Sequence, residues 1–543
     1  MPDLIIFNIN GVAAGTNTGP VPDKLLSIRD GIGNHIALEY TSLSDTSVYA
    51  STNALVLGKS TLAPPLNAPI PHYKTKSILG GNSIVVSRLD LRNDPEINVM
   101  DYAHSYRFRY ADAKMNLEGR GYEGVRTREK IDRQEGRTET LTLLQNFPFT
   151  GSIAKKTYTA NTFSNDPKSR NGAKLSELAY AYEAKKPFPN TYQVNKTRSV
   201  QRFYDYGDYR FSLGTGKQYD RYGNCSIEST YNYTDSLGND LNPGDNVYRL
   251  RDFINDARNL HFGMLRVSKM SASKDTNGLA AINNKTAPGF SEGKDFSLIT
   301  YRYDRPGNVI EKSAWDNAKN NELWLTDKFT YDQLGNHLSH ASPAGNRTRF
   351  VIEKDFHTYV DSTILPPDEK GRSLTIQSGY DPRFGKKVAE QDQNGHTHIS
   401  VLDNFGRKSA VQGPLPDLKG VQKDPNLVSS YVTGTHDFSK DEVLTLKQTD
   451  YGHANGDSLY IETQVLQKWP TSETRAMQWH RVYFDGLGRH YREVSSGDCQ
   501  SGKGNIVTDH RFDAAGKIVA SSLPYFQGQA PLFSRHWFDV YNR

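Results

Sequence analysis

His396 and His398 stand two residues apart, on one face if the segment is a strand, and such a pair can ligate zinc. No third ligand is evident beside them, so an ordinary polar strand face is the expectation. The stretch Gly497-Asp498-Cys499-Gln500-Ser501-Gly502-Lys503-Gly504 nearly spells a phosphate-binding loop, but Gly504 stands where a Ser or Thr would hold magnesium. A surface loop is the better reading. Between Asp235 and Asp245 the side chains of Asp235, Asp240, Asn242 and Asp245 offer oxygen ligands without the ordered spacing of a calcium-binding hand, which points to a solvated turn. No Gly-x-Ser-x-Gly elbow occurs. A carboxylate pair for acid–base work would need burial in a shared pocket. Most of the regularly placed aspartates have a simpler role in turns. No catalytic, cofactor-binding or metal-binding residue is therefore assigned, and no cofactor is expected.

That simpler role is a repeat: an aromatic residue, Asp, two variable residues, Gly, then Asn, Lys or Arg. Copies begin at Tyr219, Tyr303 and Tyr331, at Tyr380 with one insertion, at Leu402, and at Phe484 and Phe512; a degenerate copy, Phe538–Arg543, follows. Asp at the first turn position accepts backbone N–H bonds, and Gly three residues later takes the left-handed conformation. The result is a type I turn with a glycine bulge joining two strands of a hairpin. The turn positions are Asp220 and Gly223, Asp304 and Gly307, Asp332 and Gly335, Asp403 and Gly406, Asp485 and Gly488, and Asp513 and Gly516. One hairpin cannot bury its own face, but stacked neighbours can do so jointly. The wide gap between Asp220 and Asp304 has room for decayed copies.

Composition agrees with an all-β chain. Tyr (31) outnumbers Phe (23), Gly reaches 44, and aromatics make up 11%. A net charge of +5 from 66 basic and 61 acidic residues, interspersed along the chain, is not the concentrated basic stripe of a nucleic-acid binder. No apolar run reaches the roughly 18 residues of a membrane span, so an integral membrane protein is not expected. Cys225 and Cys499 are too few for a disulfide framework. Met1–Gly15 has no basic n-region, so leaderless export, or cytoplasmic residence before release, is the expectation.

Alternation of apolar residues at Ile36, Leu38 and Tyr40, at Tyr106, Phe108 and Tyr110, and at Leu178, Tyr180 and Tyr182 predicts strands in the first half. The last of these segments also contains helix formers. Turn-rich linkers lie at 63–71, 164–172 and 235–245. Three regions follow: a β-rich one over 1–165, a β-rich connecting region with the first repeat over 166–295, and the repeat array over 296–543.

The hexamer resembles the YD repeat of the RHS/YD-repeat superfamily. Tyr110-Ala111-Asp112-Ala113-Lys114-Met115-Asn116-Leu117-Glu118-Gly119-Arg120-Gly121-Tyr122-Glu123-Gly124 and Gln145-Asn146-Phe147-Pro148-Phe149-Thr150-Gly151 resemble signatures of the B components of bacterial insecticidal toxin complexes. So do Pro22–Leu26, Asp30–Asn34 and Ser44–Tyr49. The resemblance implies a spiral of β-hairpins forming part of a hollow shell around a toxic client polypeptide. It implies a C-component-like RHS partner that completes the shell, with a pore-forming A component as a further partner. The propeller and the self-cleaving core of that family have no match here. Display of the strand aromatics to glycans or a cell surface is the alternative, and a hydrolase with an unrecognised acid pair ranks last. An open end of such a spiral would expose strand edges and favour aggregation without a partner.

Overall fold

The structure is a computed structural model that describes residues 6–8, 24–29, 34–51, 75–78, 83–93, 103–164, 166–276, 279, 282, 294–316, 323–414, 443–453, 459–466, 477–497, 504–513 and 515–543. The linker expected at 63–71, the turn at Asp30–Gly33 and most of the loop after Gly497 lie outside them. Apart from one 3₁₀ turn at Pro243–Asp245, the regular structure of the described residues is strand. No described helix is long and apolar enough to cross a membrane.

Most described strands form one antiparallel meander, in which nearly every strand pairs with the one before it and the one after it; Tyr49–Ala50 joins it in parallel beside Ala103–Ala111, and Thr75–Ser77, Lys114–Asn116 and Gly121–Gly124 form a separate small sheet. The ladder runs from Ser27–Arg29 through Asn34–Ser42, Ile84–Asn93 and Ala103–Ala111. It then continues pair by pair, for example Thr375–Asp381 on Lys386–Gln391 and Thr397–Leu402 on Lys408–Pro414, as far as Ile518–Ser522. Ile153–Ala160 pairs with Lys174–Phe188, and His261–Ser271 with Asp295–Tyr303, so one sheet is shared by all three sequence regions. The segment of Leu178, Tyr180 and Tyr182 is strand despite its helix formers, because partners on both sides satisfy its backbone.

A sheet one layer thick has little interior. Its apolar clusters are small. The largest described gathers Ile227, Leu250, Val267, Leu279, Ile282 and Leu298 under Trp315 and Trp324. A second holds Leu43, Tyr49 and Ala113. There Gln145 Nε2 donates to the carbonyls of Asp112 (2.7 Å) and Gly124 (2.8 Å), tying together the two signature-bearing stretches.

Tyrosine hydroxyls supply what a second layer would otherwise provide. Tyr219 donates to Lys196 O (2.8 Å), Tyr303 to Leu265 O (2.7 Å) and Tyr331 to Val309 O (2.9 Å). Tyr110 and Tyr182 do the same to Val86 and Ile153. Each bond reaches back to the preceding strand of the meander, a contact Phe cannot make. Tyr331→Phe is expected to cost about 1 kcal/mol, while Leu250→Ala, which opens the largest described cluster, costs about 3 kcal/mol. Urea melts of the two variants against the parent would check this order.

Candidate functional site

The geometry that distinguishes this chain lies at the ribbon's margins. In an antiparallel meander successive turns alternate between the two long edges. The turns at 220–224, 304–308, 332–336, 403–407, 485–489 and 513–517 all fall on one of them. They share one construction. The Asp N–H donates to the carbonyl four residues on, at 3.0 Å for Asp332 and 2.8 Å for Asp403, and the Gly N–H donates back to the Asp carbonyl. One carboxylate oxygen then accepts two more backbone N–H groups. Asp332 Oδ1 takes Leu334 (2.9 Å) and Asn336 (2.8 Å), and Asp485 Oδ1 takes Leu487 (3.0 Å) and Arg489 (2.9 Å). Asp220, Asp403 and Asp513 are bonded alike. At Asp304 the residue two on is Pro306, which has no N–H, and the oxygen shifts to Gly307 (2.9 Å) and Asn308 (2.7 Å). The second oxygen takes the side chain after Gly, such as Asn336 Nδ2 (2.9 Å) or Arg489 Nε (2.7 Å). The Asn336 bond, with the backbone donors, holds the Asp332 carboxyl below the usual carboxylate range.

Two degenerate turns use the same device. Asp539 Oδ1 accepts from Tyr541 and Arg543 (both 2.9 Å), and Asn542, at φ 66°, stands where Gly would be. Asp256 accepts from Arg258 (2.9 Å) and Asn259 (3.3 Å) within the wide gap, with Leu260 at φ 57°. The other margin carries turns that lack the hexamer's leading aromatic or leucine: Asp235, Ser342, Asp368 and Asp392. Gly three residues on was the signal that could have found them. The sequence period is therefore two strands and two turns, of which only one turn carries the full hexamer.

Neighbouring turns touch along the margin. Asn255 bridges Asn224 (3.0 Å) and Asp220 (3.2 Å), and Asn336 Nδ2 donates to His357 O (2.8 Å). Lys386 Nζ reaches Gly406 O (2.6 Å), and the rings of Tyr359 and Tyr380 stack at 4.8 Å.

The contact with the greatest reach is between the two margins. The final turn, on the hexamer margin, seats against Asp166 and Tyr206 on the opposite margin, more than 330 residues earlier. The Tyr206 backbone N–H donates to the Tyr541 hydroxyl oxygen, and the two rings meet edge to face at 5.3 Å. Tyr206 in turn donates to Asp166 Oδ2 (2.7 Å), and Val540 N donates to the same oxygen (3.4 Å). Val540 is buried with Ala160 and Leu175. The Asp166 bond is the main reason the Tyr206 phenol is pushed up to about 12. A ribbon whose one margin meets its other margin after a circuit is a coil. Roughly twenty strands at about 4.8 Å each give a circuit near 100 Å, which places facing backbones roughly 30 Å apart.

His396 bonds Asp392 within its turn (3.3 Å), and His398 is exposed on the strand beyond, with no third ligand described beside them. Asp235 caps a turn, and Asp240 and Asp245 follow in the same loop. The cavity of about 360 Å³ lined by Trp479, Arg481, Arg492 and Tyr525 has its charges paired, Arg492 with Asp509 (2.6 Å) and Arg481 with Glu462 (2.8 Å). Sequence reasoning passed over His480, His490, Glu493 and His510, which the last hairpins gather on one face; no spacing rule marks four residues spread over three strands.

No family model and no curated protein matches the chain. Solved structures do. The chain is similar to TcdB2–TccC3 at a TM-score of 0.62, over 92% of its own length and 31% of that chain. Against the same pair without its hypervariable C-terminal region the TM-score is 0.66, over 100% and 36%. Against the Photorhabdus luminescens Tc holotoxin pore it is 0.64, over 94% and 33%. Identity is 11% in each case, so the likeness is one of fold: the β-shell of Tc toxin components. The chain spans about a third of the length of those chains.

The carboxylate caps carry a pH signature. Because the folded Asp332 and Asp235 are held low by Asn336 and Asn239, their stabilisation is full above the ordinary Asp value near 4 and is lost as pH falls through their lower folded values. Melting temperature is expected to drop from pH 5 to pH 2, with a shallower drop in Asp332→Asn. Gly406→Ala is expected to destabilise more than Gly335→Ala. Both glycines have positive φ, but a Cβ at 406 would meet the Phe384 ring at 2.6 Å, whereas one at 335 would have only Asn308 Oδ1 at 3.7 Å. Paired melts of the two variants decide this.

Proposed function

We propose that the chain is a non-catalytic wall segment of a toxin-complex shell of the RHS/YD-repeat kind, enclosing a toxic client polypeptide for delivery outside the producing cell. The observation that carries this reading is the coil contact of Tyr541 and Val540 with Tyr206 and Asp166, because it turns a ribbon into an enclosure. A coil about 30 Å across between facing backbones is no wider than a folded 100-residue domain, whose radius of gyration of about 13 Å makes it roughly 34 Å across, and narrower than the same chain unfolded, whose radius of gyration alone is about 30 Å. Confinement on that scale acts on any client through volume alone and needs no active site. The partners proposed are a C-component-like RHS protein that continues the wall and a pore-forming A component.

Co-expression with a C-component RHS protein, followed by size exclusion and electron microscopy, is expected to yield a stoichiometric hollow particle. Asp166→Ala combined with Tyr541→Ala is expected to loosen or open it. A chain that stays apart from the partner would overturn the proposal. One observation favours binding of glycans or a cell surface instead: Phe203 and Phe211 stack at 4.7 Å, and the exposed Tyr233 continues the row. Retention of the isolated chain on a glycan array, lost in Phe211→Ala, would support that second reading.

A further inference from the structure

We propose that the last hairpins hold a divalent transition-metal ion between His490, Glu493 and His510, with His480 at the rim. The residues come from three adjacent strands, Met477–Phe484, His490–Ser495 and Ile506–Phe512. Register explains how they meet. Val482 stands opposite Glu493, and Glu493 opposite Thr508, so His480 and His510, two residues from those partners, share the Glu493 face. His490 lies three residues from Glu493 and in a regular strand would point the other way. The bulge beside the Asp485 turn prevents this. Tyr483 pairs with Arg492 and Phe484 with His490, so Tyr491 is the extra residue and His490 returns to the Glu493 face.

The three ligand atoms lie within 4.8 Å of one another. His490 Nε2 is 2.7 Å from Glu493 Oε1, and His480 Nε2 is 3.4 Å from Glu493 Oε2. The rings of His490 and His510 are perpendicular, with centroids 4.8 Å apart.

Three features distinguish this group from a polar patch. His490 Nε2 is enclosed and faces Glu493 Oε1 at 2.7 Å, an ion-pair contact when the ring is protonated but one without hydrogen-bond geometry. His510 Nδ1 lies 2.9 Å from Ser521 Oγ; donation there leaves the lone pair on Nε2 and fixes the ring, the role of outer-shell partners in metal sites. Finally, the ladder partners on this face, Thr463, Val482, Ser495 and Thr508, are uncharged, and the arginines of these strands are engaged elsewhere, Arg492 with Asp509, Arg481 with Glu462 and Arg511 over the Phe533 ring.

Two imidazoles and a carboxylate suit zinc, cobalt, nickel or copper. Magnesium and calcium require oxygen ligands throughout. Three protein ligands leave a fourth position for water or for His480. The ion would clamp three successive strands of a ribbon that lacks a covering layer.

The full chain, stripped with chelator, is titrated with Co²⁺ followed by visible absorption, and with Zn²⁺ followed by calorimetry and melting temperature. One equivalent is expected to bind, with a tetrahedral cobalt spectrum and a rise in melting temperature on adding zinc. His510→Ala and the shape-preserving Glu493→Gln are each expected to weaken binding more than tenfold, and Ser521→Ala by about tenfold, in the range of outer-shell losses. His396→Ala is expected to leave binding unchanged. Failure to take up one saturable equivalent, or uptake equal to the parent's in folded Glu493→Gln and in His490→Ala with His510→Ala, would overturn the site.

Discussion

At the hexamer turns of Asp220, Asp304, Asp332, Asp403 and Asp485 a single carboxylate oxygen holds two backbone N–H groups while its partner oxygen holds the side chain four residues on. This cap does local work that a packed core does in a compact protein. A one-layer sheet exposes both faces, so strand direction cannot be enforced by burial alone. It is enforced at the turns, where the donors are backbone and the acceptor is ionised. Tyrosine hydroxyls bonded to the preceding strand then stitch each hairpin to its neighbour.

The bulge that comes with this turn has consequences beyond the turn. Tyr219 pairs with Cys225, Tyr303 with Val309, Tyr331 with His337, Leu402 with Lys408, Phe484 with His490 and Phe512 with Ile518, each six residues apart. One residue per turn is left over, so the first residue of the returning strand lies on the same face as the aromatic. Side chains three apart in sequence become neighbours on that face. His490 and Glu493 meet for this reason.

Curvature is the second consequence. Bulges strengthen the local twist, and here they recur along one margin. A ribbon with such a bias coils, and the Asp539 turn reaching Asp166 and Tyr206 completes the circuit. The turn that does so keeps its cap although Asn542 replaces Gly, because Asn tolerates the left-handed conformation.

What the sequence by itself determined was local. The Asp–x–x–Gly spacing specified turn type, the alternating aromatics specified strands, and the interspersed charge left no basic stripe, because each of these depends on residues within a few positions of one another. Even so, turns without a preceding aromatic, at Ser342, Asp368 and Asp392, escaped the pattern. The tertiary structure alone decided which margin each turn occupies, that Asp166 meets Val540, and that three strands bring His490, Glu493 and His510 together. Those relations depend on register and curvature summed over many hairpins, and a shift of one residue in any ladder would send the same side chains to the other face.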